Sequence, residues 1–119
     1  MAVTRIVANI ATLQPETACA FYGDVLGLEI VMDYGWIMTF ASSPVSIAPQ
    51  ISFASEGGSG TPVPDLSIEV DDFDEVLARA KAKGHSIIYG PQQEPWGVHR
   101  FYVRDPFGRL VNVLSHRAG

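Results

Sequence analysis

Residues 96–116 read WGVHRFYVRDPFGRLVNVLSH. Two runs rich in β-branched and aromatic residues, Val98 to Val103 and Leu110 to Leu114, flank Asp105-Pro106-Phe107-Gly108. Asp at the first turn position, Pro at the second and Gly at the fourth is type I turn chemistry, so the stretch predicts a β-hairpin. Strand alternation puts Val111 and Val113 on one face, and Leu110, Asn112, Leu114 and His116 on the other. An amide between two leucines is either a satisfied core or rim group or a place where a sheet meets a ligand.

Working back from the hairpin, Gly90-Pro91 breaks the chain and His85 to Tyr89 predicts another strand. Before it, Asp72-Phe73-Asp74-Glu75 has the form of a capping box. Phe73, Val76, Leu77 and Ala80 then make an apolar helical stripe that Gly84 ends. The acidic start and the basic Arg79, Lys81 and Lys83 suit the helix macrodipole. In the strand before this helix, Leu66, Ile68 and Val70 alternate with Asp65, Ser67 and Glu69.

The first half has the same order of elements. Arg5 to Ala11 alternates, with Ile6, Ala8 and Ile10 on one face and Arg5, Val7, Asn9 and Ala11 on the other. Pro15 suits a helix start, and Ala18, Phe21, Tyr22, Val25 and Leu26 form a stripe that Gly27 caps. Strands follow at Leu28 to Met32, Trp36 to Phe40 and within Val45 to Ala54, the last blurred by Pro44 and Pro49. Ser55 to Pro64, SEGGSGTPVP, reads as the least ordered stretch and the natural linker. Strand, helix, glycine and about three strands therefore occur twice. A sheet covered by helices on one side leaves its other, partly polar side as the default ligand surface.

The chain has 119 residues, enough for one domain (1–119), with module one at about 1–55, the linker at about 55–64 and module two at about 65–119. Its net charge of -5, with only eight Lys and Arg, lacks the basic footprint of a nucleic-acid binder. No apolar run reaches membrane-spanning length, and the start lacks a signal peptide's pattern. The single Cys19 excludes an internal disulfide and suits a reducing, cytoplasmic setting; its place in a helical pattern favours a packing role over a nucleophile.

Phe21-Tyr22 with Leu26-Gly27, then Leu66 to Asp72 (LSIEVDD), Gly84, Gly90-Pro91 and Asp105-Pro106-Phe107-Gly108 before the last strand, give the chain a resemblance to the vicinal oxygen chelate superfamily. That superfamily includes glyoxalase I, bleomycin-resistance proteins and extradiol dioxygenases. The resemblance implies an α+β fold of paired βαβββ modules, with a cupped mixed sheet, helices on the outer face and often a homodimer. It also implies a divalent metal held by His, Gln and Glu. The corresponding positions here carry Arg5, Gln50, Asp65 and Asn112. Arg stays protonated and Asn is a weak neutral donor, so the usual metal site is expected to be missing. A His99 and His116 pair across the hairpin, with Asp65 or Glu69, is the one arrangement left that keeps a divalent metal open.

These residues predict a small-molecule-binding protein of the sequestration or resistance type, with no cofactor, no nucleic-acid partner and no membrane partner. Asn9, Gln50, Ser67, Trp96, Phe101, Asn112 and His116 are the candidate ligand contacts. Glu69 is the candidate catalytic base, set against the plainer reading of a carboxylate bonded near the adjoining helix start or solvated. The competing expectations are a glyoxalase-like lyase or isomerase with a divergent metal site or a metal-free activity using Glu69, and an interaction module whose pocket is closed.

Overall fold

Type I turn chemistry at residues 105–108 produces the expected geometry in a computed structural model of the chain, which describes residues 2–42 and 49–116. The Gly108 amide donates to the Asp105 carbonyl (3.1 Å), and Asp105 Oδ1 accepts from the amides of Phe107 and Arg109 (2.9 Å each). The turn joins β7 (Val98–Arg104) to β8 (Leu110–His116), paired antiparallel from Arg104↔Leu110 to Val98↔His116.

The other elements are β1 (Val3–Ala11), a 3-10 turn (Pro15–Ala18) running into a π-helical turn (Cys19–Gly23), β2 (Glu29–Asp33), β3 (Ile37–Ala41), β4 (Gln50–Ala54), β5 (Leu66–Val70), α1 (Phe73–Ala82) and β6 (Ile87–Gln93). The eight strands form a mixed sheet, as an α+β fold of repeated modules requires. Two compact units divide it: residues 7–63, and residues 1–6 with 64–119. β1 contributes its first residues to one unit and its last to the other, so the unit boundary cuts a strand that the sequence assigns wholly to module one.

In the unit of residues 1–6 and 64–119, the strand order is β1-β5-β8-β7-β6. β5 runs parallel to β8, with Ser67 opposite Asn112 and Glu69 opposite Leu114. α1 covers one face, where Phe73, Phe101, Val111, Val113 and Val70 form the core. Asp72 caps the helix, its Oδ1 accepting the Glu75 amide at 3.2 Å. β6 does not stop at Gly90-Pro91 as expected. It runs through the cis Gly90-Pro91 bond to Gln93, and its register with β7 slips between Tyr89 and Gln92. β6 ends the strand order, and an irregularity on an edge strand takes the proline, which has no N–H, out of the ladder. Gly90 is required there, since a Cβ would lie 2.6 Å from the Arg100 carbonyl oxygen.

In the unit of residues 7–63 the order is β2-β3-β4-β1. The predicted helix over residues 15–26 is replaced by the short 3-10 and π turns. No side chain caps its start at Gln14, and wide bonds such as Asp24 N–H to the Cys19 carbonyl (2.9 Å) close it. Gly27, at φ +74°, ends it as expected. Ala18, Cys19 and Tyr22 pack on Met38, Phe40 and Phe53, but Phe21, Val25 and Leu26 of the same stripe are exposed. On β1 the apolar Ile6 and Ile10 are exposed and Val7 is the buried residue. Of the strand expected within Val45 to Ala54, residues 50–54 are β4; residues 43–48 lie outside the described ones. The stretch 55–64 is no loose linker: Gly57 N–H donates to the Thr61 carbonyl (2.7 Å) and Thr61 Oγ1 to the Gly58 carbonyl (2.7 Å).

Candidate functional site

Because Val111 and Val113 face α1, the alternate residues of β8 face away from the helix, together with the residues paired beside them. On this open face three polar groups form, all in the unit that holds α1.

The first centres on Glu69. One oxygen lies 2.9 Å from Arg5 Nε on β1, and the other 2.7 Å from His116 Nδ1 on β8. Glu69 is thus held on both sides, and the alternative of a carboxylate bonded to the helix start does not describe it. Beside it, Asn112 Nδ2 donates to Ser67 Oγ at 3.1 Å. Asn112 is only 7% exposed, and its Oδ1 is buried without a hydrogen-bond partner among the described residues. Buried polar atoms are rarely left in that state, since an unmade hydrogen bond is expensive.

The third group is built round Arg100, 2% exposed, whose Nε pairs with Glu94 at 2.6 Å, itself 4% exposed. Tyr89 Oη donates to the same Glu94 oxygen (2.8 Å), Arg100 Nη1 to Tyr102 Oη (3.0 Å). The rings of Tyr89, Trp96 and Tyr102 lie 5.0–5.3 Å from the guanidinium carbon. Burial, the hydrogen bond to Glu94 and its charge push the Tyr89 hydroxyl above its ordinary value, and Arg100 opposes them. This constellation ties β6 to β7.

Ser67, Glu69, Asn112 and His116 are therefore brought together as expected, and Trp96 sits on the same unit against a buried cation. Phe101 is not with them. It is fully buried on the α1 side against Phe73 (5.5 Å between ring centroids), because its register partner is Val113. Asn9 and Gln50 belong to the other unit, opposite Ser52 and Ala41 respectively. There the buried hydroxyls of Thr39 and Ser52 satisfy each other at 2.7 Å. Sequence reasoning missed Arg5 as the partner of Glu69, and missed Arg100 and Glu94 altogether. The period-two alternation of β7 was the available signal, since Arg100 shares a face with Tyr102, opposite Asn112.

The residues at the superfamily's metal positions do not fit a metal. Arg5 is a cation paired with Glu69, and Asn112 donates to Ser67. Asp65 Oδ2 accepts the Leu110 amide at 2.9 Å, pinning β5 to β8, and Gln50 lies in the other unit. His99 and His116 do not converge: His99 stacks on Phe73 at 4.2 Å on the α1 side, whereas His116 reaches Glu69. Among the described residues no three His, Cys, Asp or Glu side chains cluster in a way that could hold an ion.

The unit of residues 7–63 has an open apolar hollow of about 340 Å³, lined by Ile10, Pro15, Ala18, Phe21, Tyr22 and Phe53. Its neighbouring hydroxyls are taken up by the turn: Thr17 Oγ1 donates to the Gln14 carbonyl and Thr12 Oγ1 accepts the Gln14 amide. It offers surface for apolar contact with few groups to orient a ligand. No helix among the described residues is long and apolar enough to cross a membrane.

A family model described as the Glyoxalase/Bleomycin resistance protein/Dioxygenase superfamily matches residues 5–113. Among curated proteins no match is found. Solved structures share the fold at low identity. One is an NAD-dependent benzaldehyde dehydrogenase from Legionella pneumophila (17% identity, TM-score 0.73, 95% of this chain and 100% of that one). Another is methylmalonyl-CoA epimerase from Mycobacterium tuberculosis (16%, 0.65, 98% and 88%). A third is a superfamily member from Vibrio splendidus 12B01 (16%, 0.64, 98% and 100%).

Proposed function

The chain belongs to the Glyoxalase/Bleomycin resistance protein/Dioxygenase superfamily, and from that premise we propose that it binds a small organic molecule on the open face of β5 and β8 without a metal. The observation that carries this reading is Asn112. Its Oδ1 is a buried acceptor with no partner among the described residues, at the strand position where the superfamily's metal enzymes place an acid. A ligand N–H or O–H would satisfy it, with Ser67 holding the amide in place. Glu69 and Arg5, in the same unit, carry compensating charges, so the face suits a neutral or weakly polar molecule. A cytoplasmic setting fits the free, half-buried Cys19, 3.8 Å from Met38 Sδ.

A screen of small molecules by native mass spectrometry, repeated on Asn112→Leu, tests the reading. A ligand that binds the parent and weakens by about tenfold in the variant, the worth of one buried hydrogen bond, supports it. Equal affinity in both overturns it. Retention of one zinc, nickel, manganese or iron ion per chain, lost in Asp65→Ala or His116→Ala, would instead make a glyoxalase-like lyase or isomerase with a divergent metal site the better reading. The enzyme alternative in its metal-free form is favoured by one feature, the close contact of Glu69 with His116.

We also propose a second copy of the chain as partner. Ile10, Leu13, Phe21, Val25 and Leu26 are all exposed in the unit of residues 7–63, an apolar display beyond what isolated surface residues produce. Sedimentation should give the mass of a dimer, and Phe21→Glu should shift it to that of a monomer. A monomeric parent protein would overturn this part.

A further inference from the structure

We infer that His116 is a proton-accepting group of the open face and that Glu69 is the residue that positions it. The inference rests on reading this face as the small-molecule site and assigns to it a chemical step. Glu69 Oε2 lies 2.7 Å from His116 Nδ1. An ionised carboxylate only accepts hydrogen bonds, so in the neutral ring Nδ1 is the nitrogen that carries the proton and Nε2 the one that holds the lone pair.

The orientation is secured from behind. The other oxygen of Glu69 is paired with the Arg5 charge, 2.9 Å from Nε, so the carboxylate lies between partners on two strands. Nε2 has no hydrogen-bond partner among the described residues, and the His116 side chain is 55% exposed, leaving that nitrogen accessible. A half-exposed imidazole with one nitrogen held by a carboxylate and the other without a partner among the described residues is the arrangement that general-base catalysis uses. Glu69, engaged by both neighbours, is poorly placed to take a proton from a ligand itself. The sequence-based choice of Glu69 as base therefore passes one residue outward.

Charge balance indicates the substrate class. With a neutral ring, Arg5 and Glu69 sum to zero. A proton taken by Nε2 creates an imidazolium beside the anion left on the ligand. The face therefore suits a neutral weak acid such as a hydroxyl, whose O–H bond breaks with the electron pair kept on oxygen and the proton carried on Nε2.

Two measurements on the whole chain test this. In long-range proton–nitrogen NMR spectra, the neutral His116 ring should carry its proton on Nδ1, and Glu69→Ala should mix the two tautomers. With p-nitrophenyl acetate as probe, Nε2 attacks the acyl carbon, p-nitrophenolate leaves and water hydrolyses the acyl-imidazole. The rate of p-nitrophenolate release should fall by about tenfold or more in His116→Gln, within the range that a positioned imidazole contributes. It should fall by less in Glu69→Gln and stay unchanged in His85→Gln, a residue outside the site. Since His116 is exposed at a strand end, its glutamine variant keeps the fold. A proton found on Nε2, or an ester rate that His116→Gln does not change, overturns the inference. Either result would leave the binding reading standing if Asn112→Leu still weakened ligand affinity by about tenfold, so the two can fail separately.

Discussion

The two units carry the same order of elements yet handle their polar and apolar residues differently. In residues 7–63 the buried hydroxyls of Thr39 and Ser52 bond to each other at 2.7 Å, that of Thr61 donates to the Gly58 carbonyl, and the apolar surplus lies outside on Phe21, Val25 and Leu26. In residues 1–6 and 64–119 the apolar stripe of α1 is packed against Phe101 and Val113, and the polar surplus lies on the open face. There an ion pair is buried at Arg100 and Glu94, and Asn112 keeps one oxygen without a hydrogen-bond partner among the described residues. A self-satisfied polar pair is a structural solution. An unsatisfied one, beside a fixed carboxylate and an imidazole, is where a ligand has something to contribute. The proposed ligand site therefore falls in the unit of residues 1–6 and 64–119, and the proposed contact surface in the unit of residues 7–63.

The sharpest way to break this contrast is at the buried ion pair. Glu94→Ala leaves the Arg100 guanidinium among three rings without its carboxylate, and should lower unfolding stability by about 3–5 kcal/mol in urea titration. A loss within error of zero would mean that the rings alone hold Arg100. The next test sets one hydroxyl against one amide. Thr39→Val strands the Ser52 hydroxyl and should destabilise by about 1–3 kcal/mol. Asn112→Leu removes the hydrogen bond to Ser67, which keeps another interaction, together with an oxygen that has no partner among the described residues, so its effect on stability should be smaller than that of Thr39→Val, whereas its effect on ligand affinity should be the larger. Equal losses of stability would show that Asn112 is as structural as Thr39. The smallest effect concerns the helices. Asp72→Ala removes the cap of α1 and should cost about 1 kcal/mol by thermal or urea unfolding. Gln14→Ala, at a helix start with no side-chain cap, should change stability by far less.

Much of this was legible beforehand because it depends on local chemistry. The Asp105 to Gly108 turn, the Asp72 cap, the glycine at residue 27 and the period-two faces of β5 and β8 all follow from residue types and their spacing. They correctly brought Ser67, Glu69, Asn112 and His116 to one surface. Phe101 was misplaced because an aromatic residue in a strand looks alike on either face until the opposite strand fixes which side the helix covers. The first helix failed for a related reason. Its apolar stripe predicts amphipathic helix, but periodicity does not state how much of that stripe will find a partner.

By itself, then, the sequence determined the element order, the hairpin, the capped helix and the identity of the polar residues on the open strand faces. It also determined that Arg5 and Asn112 stand at two of the positions where the resemblance expects metal ligands, since those residues are what they are in any fold. Only the tertiary structure decided that Glu69 is held between Arg5 and His116, that Asp65 pins a backbone amide, and that Arg100 finds Glu94 and three aromatic rings. These pairings join residues up to 64 positions apart or depend on a slipped edge-strand register. Spacing along a chain specifies the face a side chain takes, whereas its partner across the sheet is chosen by strand order and register, which are properties of the whole packed structure.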